Sequence, residues 1–85
     1  MKPVTIYTKP GCPYCVRAME VLQEKGAEIV EIVASEDPIK REEMLARSHG
    51  RRTYPQIFIG DEHIGSCDDM MMLNYSGRLD EKLAD

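Results

Sequence analysis

In Val4-Thr5-Ile6-Tyr7-Thr8-Lys9-Pro10-Gly11-Cys12-Pro13-Tyr14-Cys15, a β-type run passes through a tight loop into a pair of cysteines. β-Branched and aromatic residues from Val4 to Thr8 predict a strand, and Pro10-Gly11 closes it. Beyond Pro13, the residues Val16, Met19, Val21 and Leu22 recur at helical spacing, and Gly26 suits the left-handed position just past a helix. A helix is therefore predicted from about residue 13 to 25. Glu28-Ile29-Val30-Glu31-Ile32-Val33 is a second β-rich run. Strand, helix and strand within about 30 residues imply a parallel pair with a right-handed crossover, the beginning of an α/β sheet.

Working outward, Asp37-Pro38 sets a capping residue before a proline at the first helical position. The stretch that follows to Arg47 is charged apart from Ile39, Met44, Leu45 and Ala46, which predicts a second, more exposed helix ending near Gly50. Gln56-Ile57-Phe58-Ile59 reads as a buried strand, Gly60-Asp61-Glu62 as a turn, and His63-Ile64-Gly65 as a short antiparallel return. Ser66 and Asp69 have the spacing of a capping box, with Asp in place of the usual Glu, introducing Met70 to Tyr75 as a third helix. Leu79 to Leu83 adds a last helical turn. Repeats, linkers and low-complexity segments are absent from the sequence.

The 85 residues are expected to form one domain, 1–85, whose core is modest because a chain this size buries only about 60 to 65% of its unfolded surface. A net charge of −4 argues against nucleic acid as the main partner, since phosphate binding favours a basic footprint. The longest apolar run falls far short of the roughly 18 residues of a membrane span, and Met1 to Val4 lacks a signal-peptide start. A cytosolic protein without a membrane partner is expected. Three cysteines cannot all pair within one chain, and the cytosol disfavours structural disulfides, so the thiols are candidates for redox or metal chemistry.

Cys12 and Cys15 fall at the junction of the first loop and first helix. With Cys12 as N-cap and Cys15 at the third helical position, their Cα atoms should lie roughly 5 to 6 Å apart, within reach of a disulfide. Pro13 needs no amide partner at the first position, and the free amides beyond it are expected to face the Cys12 sulfur and favour its thiolate. A free cysteine is only about 3% thiolate at pH 7. Added thiolate character speeds attack little, because nucleophilicity falls with a Brønsted slope of about 0.4 to 0.5; its larger benefit is a good leaving group. Cys15 is expected to be the more buried, resolving thiol. A zinc site would need two more ligands, whereas Cys67 stands alone and His49 and His63 lack structural-zinc spacing. Two inert core cysteines would be poorly placed beside a proline at such a turn.

Cys12-Pro13-Tyr14-Cys15, then Thr53-Tyr54-Pro55-Gln56-Ile57-Phe58-Ile59-Gly60, then Gly65-Ser66-Cys67-Asp68-Asp69 together resemble a dithiol glutaredoxin over nearly the whole chain. The resemblance implies an α/β, thioredoxin-like fold, βαβαββα, with a four-stranded mixed sheet flanked by helices on both faces. It implies a glutathione:disulfide oxidoreductase that reduces protein disulfides and glutathione mixed disulfides, with glutathione as co-substrate and no metal. By position, Cys12 resembles the nucleophile and Cys15 its resolving partner. Lys9 would stabilise the thiolate and meet a glutathione carboxylate, while Tyr14 and Thr53 would belong to the binding groove. Pro55 matches the family's cis-proline, and the Tyr54 backbone would pair with glutathione like an added strand. Cys67 and Asp68 would hold the γ-glutamyl end, with Asp69 a weaker candidate because it caps the helix. Partners would be glutathione and glutathionylated or disulfide-containing proteins, with ribonucleotide reductase a partner of some members; a monomer is expected.

Three departures stand out. Tyr54 replaces a small β-branched residue, so the groove would be narrower or the ring would fold outward. Ser66 replaces a common glycine. His49-Gly50-Arg51-Arg52 adds positive charge, and Arg52 could attract the glycine carboxylate of glutathione, although a solvated loop explains either arginine. Of Met70, Met71 and Met72 at least one should be exposed, since three consecutive helical residues cannot all face inward. Cys67 as a third redox centre and His63 as more than a turn residue are both disfavoured. Rival functions are an electron donor served by thioredoxin reductase, against which Trp and Cys-Gly-Pro-Cys are lacking, and an iron–sulfur carrier, against which Pro13 and a second thiol stand.

Overall fold

In the computed structural model, which describes residues 1–85, strand β1 (Val4–Thr8) pairs parallel with β2 (Ile29–Val33) in the register Val4↔Ile29 to Thr8↔Val33. On its other side β1 pairs antiparallel with β3 (Gln56–Ile59), which in turn pairs with β4 (Glu62–Gly65), giving the order β2-β1-β3-β4. The mixed sheet expected from the sequence is present. Helices α1 (Pro13–Glu24), α2 (Pro38–Arg47), α3 (Cys67–Tyr75) and α4 (Arg78–Leu83) flank it.

Successive strand residues point to opposite faces, and this alternation divides the core in two. Val4 and Ile6 of β1 and Ile57 and Ile59 of β3 pack with Ala18, Leu22, Met70, Leu79 and Leu83 from α1, α3 and α4. Tyr7 and Phe58, one residue out of step, pack with Ala34 and Met44 on the other face. Each fully buried aliphatic side chain contributes about 1.5–3 kcal/mol of apolar burial. The second face is also tied by polar groups: Tyr7 Oη donates to Glu43 at 2.6 Å and accepts from Arg47 at 2.8 Å, while the Arg47 guanidinium sits 4.2 Å over the Phe58 ring. Helix α2 buries only Met44 completely and depends on these contacts.

The capping residues named in the sequence do cap helices, while some helix bounds differ from those predicted: α2 ends at Arg47 rather than near Gly50. Asp37 Oδ1 accepts from the amides of Ile39 and Lys40, and Ser66 with Asp69 forms a complete capping box. With Ser66 as N-cap, Cys67 is already helical, so α3 begins three residues before Met70. Glu62 likewise belongs to β4, pairing with Ile59, rather than to the preceding turn. A short 3₁₀ turn at Ala34–Glu36 between β2 and α2 has no counterpart in the sequence reading. No helix is long and apolar enough to cross a membrane.

Candidate active site

Cys12 is the N-cap of α1, with extended backbone, Pro13 occupies the first turn, and Cys15 follows within that turn. The Cys15 amide donates to Cys12 Sγ at 3.2 Å. One amide reaches the sulfur, where several were expected. Both cysteines are buried, Cys12 at 5% exposure and Cys15 at 3%, so the anticipated difference in burial is slight. Chemistry separates them more than burial does: desolvation, followed by the hydrogen bond with Cys12, pushes the Cys15 thiol up to about 12. Cys15 holds its proton at neutral pH. Cys67 is also pushed up, chiefly by burial.

A cleft of about 230 Å³ is lined by Tyr14, Thr53, Tyr54, Pro55, Ser66, Cys67 and Asp68. It unites residues from the start of α1, the loop before β3 and the start of α3, which are remote in sequence and brought together by β3 lying beside β1. The Tyr54–Pro55 peptide is cis. Neither Lys9 nor the Cys12 and Cys15 thiols are among the lining residues. Lys9, Cys12, Cys15 and Glu31 line a second cavity, of about 470 Å³. No cluster of three or more His, Cys, Asp or Glu side chains has the arrangement of a metal site.

The glutaredoxin family model matches residues 4–64. The chain belongs to the glutaredoxin family. It is 49% identical to the glutaredoxin of Pseudomonas aeruginosa over 84 residues, 99% of each chain, and 51% identical to glutaredoxin 3 of Escherichia coli over 83 residues, 98% of this chain and 99% of that one. Among solved structures it is similar to the Brucella melitensis glutaredoxin (TM-score 0.83, 55% identity, 98% and 89% of the chains) and to a buckwheat glutaredoxin–glutathione complex (TM-score 0.83, 32% identity, 96% and 76%). Like its family, this glutaredoxin has a thioredoxin-like fold and is a thiol–disulfide oxidoreductase.

Against that background the departures resolve. Tyr54 does not fold outward: its ring packs on the Tyr7, Ala34, Met44 and Phe58 cluster, and its hydroxyl is buried without a hydrogen-bond partner. Asp69 is committed to capping, accepting from the Ser66 amide at 2.9 Å, the Ser66 hydroxyl at 3.0 Å and Arg51 at 3.2 Å. These bonds, the Ser66 amide first, hold its carboxyl below the usual range. Met70 is buried, Met71 half-buried, and Met72 71% exposed. Arg17, passed over in the sequence, joins Tyr14, Asp68 and Tyr75 around a neighbouring hollow of about 270 Å³. Gln56 carries no role in the sequence reading and His63 only that of a turn residue, whereas His63 lies in β4 and Gln56 is a buried polar residue on an otherwise apolar strand, bonded to both His63 and Thr53. The only sequence signal was that polar residue opening Gln56-Ile57-Phe58-Ile59.

Proposed function

We propose that this glutaredoxin reduces glutathione mixed disulfides and protein disulfides at the expense of glutathione. The Cys12 thiolate attacks the glutathione sulfur of a mixed disulfide, forming a Cys12–glutathione disulfide and releasing the substrate as a thiolate, which takes up a proton. A second glutathione thiolate then cleaves that disulfide, yielding glutathione disulfide and returning Cys12 as thiolate. With a protein disulfide as substrate, the Cys12 thiolate attacks one of its sulfurs, forming a mixed disulfide and freeing the other as a thiolate that takes up a proton; Cys15 then loses its proton to solvent and attacks the Cys12 sulfur, expelling the second protein thiolate and closing Cys12–Cys15. Two glutathiones reopen that bond.

The observation that carries this reading is a cysteine sulfur held by a helix-terminal amide at 3.2 Å beside a cleft lined by Tyr14, Thr53, Tyr54, Pro55, Cys67 and Asp68. In that cleft the Tyr54 backbone would pair with the peptide part of glutathione, and the α3 amides at Cys67 would receive the γ-glutamyl carboxylate while Asp68 meets the ammonium. Lys9 lines the cavity on the thiols, which supports a role beside the thiolate. The same reading proposes a cytosolic monomer acting on glutathionylated or disulfide proteins, with ribonucleotide reductase as one to try.

The test is turnover of the mixed disulfide of glutathione and 2-mercaptoethanol, coupled to glutathione and its reductase. Activity should vanish in Cys12→Ser and persist in Cys15→Ser. A wild-type protein without turnover, or one recycled only by thioredoxin reductase, contradicts the proposal.

A further inference from the structure

We propose that Gln56 and His63 are positioning residues for the cleft, forming a relay that holds Thr53 so that its hydroxyl is left as a donor toward bound glutathione. This rests on the glutathione reading above. Gln56 is fully buried, and every polar atom of its side chain is engaged. Its Nε2 lies 2.9 Å from the Thr53 carbonyl and 3.0 Å from Thr53 Oγ1, and its Oε1 lies 2.8 Å from His63 Nε2. A carbonyl oxygen only accepts, so the amide nitrogen must face Thr53 and the amide oxygen must face His63. His63 therefore donates from Nε2.

The consequence passes to Thr53. The Gln56 amide nitrogen donates to Thr53 at two points, its carbonyl oxygen and its hydroxyl oxygen. With that oxygen accepting, the hydroxyl hydrogen is free to donate elsewhere, and Thr53 lines the cleft in which an acidic tripeptide would sit. The relay begins on a firm support: the His63 ring lies 4.9 Å from the Phe58 ring in the second core, and Phe58 and His63 are cross-strand partners. Packing alone would need an apolar residue at position 56; a buried amide saturated on both sides specifies an orientation.

Steady-state kinetics with the mixed disulfide of glutathione and 2-mercaptoethanol test the relay. His63→Leu, which removes the donor, is expected to raise KM about three- to tenfold, the worth of one net hydrogen bond, with kcat changed by less than about twofold. His63→Gln, which restores a donor, should recover most of the loss. In a double-mutant cycle, His63→Leu combined with Thr53→Val should cost no more than the larger single effect. An unchanged KM in His63→Leu, a loss in kcat alone, or additive effects in the cycle would overturn the relay. If His63→Leu lacks a cooperative unfolding transition, His63→Asn, too short to reach Gln56, takes its place with the same expectation. Failure of wild-type turnover would strike the glutathione reading instead. The relay is then judged by ¹⁵N NMR of wild-type His63, whose neutral ring should carry its proton on Nε2; a proton on Nδ1 overturns it.

Discussion

The backbone amide of Cys15 donates to the sulfur of Cys12 at 3.2 Å, while the Cys15 thiol itself is pushed up to about 12. One residue thus donates a hydrogen bond to the other thiol's sulfur while its own sulfur is kept neutral. The reason is placement within a single helical turn: the amide is one of the unpaired donors of a helix start, and the side chain is turned into the core.

At pH 7 a thiol titrating near 12 is about one part in 10⁵ thiolate, so Cys15 should resist alkylation. Brief treatment of the reduced native protein with iodoacetamide, followed by peptide mass spectrometry, should give one adduct, on Cys12. Cys67, also raised by burial, should remain unmodified. Labelling of Cys15 at the rate of Cys12 would contradict this assignment.

The Tyr54 hydroxyl is buried with no partner, and an unsatisfied buried polar group costs about 1–3 kcal/mol. Tyr54→Phe removes the hydroxyl and keeps the ring on Tyr7, Met44 and Phe58. Its melting temperature should rise by roughly 4–8 °C for each kcal/mol recovered, as read by calorimetry. A lower melting temperature would mean that the hydroxyl has a partner in solution.

At Gly65, φ is +115°, and a Cβ there would run into the Asp69 carboxylate and come within 2.9 Å of Arg51. Alanine would meet both backbone strain and displacement of the group that caps α3. Gly26, with φ +75° and open space around its absent Cβ, provides the comparison. Gly26→Ala should cost about 1 kcal/mol from the left-handed backbone alone, and Gly65→Ala clearly more, in urea unfolding. Because the cap also sets the Cys67 and Asp68 amides, Gly65→Ala should raise KM for glutathionylated substrate. Equal destabilisation of the two variants would show that Asp69 moves aside freely.

Two groups give stability separate pH windows. Burial, with the charges of Arg51 and His49 added and Asp69 opposing, depresses the protonation of His63 below its usual 6.5. The unfolded chain therefore takes up that proton first, and stability should begin to fall as pH drops through about 6.5, down to the lower folded value. Asp69, depressed by its bonds to Ser66 and Arg51, contributes stability above the ordinary aspartate range and loses it as pH falls through its folded value. Urea midpoints measured from pH 8 to pH 2 should show the first decline flattened in His63→Gln and the second flattened in Asp69→Asn. A wild-type midpoint independent of pH between 7 and 5 would rule out the His63 contribution.

What was legible in the sequence depended on residues within one turn of each other. Asp37 before Pro38, Ser66 with Asp69, and Cys12 before Pro13 each state a helix start, because the cap and the amide it binds are two or three residues apart. The β-branched and aromatic run Val4–Thr8 and the buried-type run Gln56–Ile59 likewise marked strands, and both are covered on two faces. Six of the groove residues, Tyr14, Thr53, Tyr54, Pro55, Cys67 and Asp68, were named through family motifs rather than from local pattern, and they line one cleft. Lys9, also named by motif and assigned there to the thiolate as well as to glutathione, lines the cavity on the thiols.

The amino-acid sequence by itself determined the element order, the helix starts and the dithiol at the head of α1, since short-range sterics and hydrogen bonding specify these. Only the tertiary structure decided that the Tyr54 ring turns inward, that Arg51 is spent on Asp69, and that Gln56 links His63 to Thr53. Those outcomes depend on which strands become neighbours and on the space left between sheet and helices. A side chain's partner across that space is set by the packing of the whole layer and leaves no periodic mark on the chain.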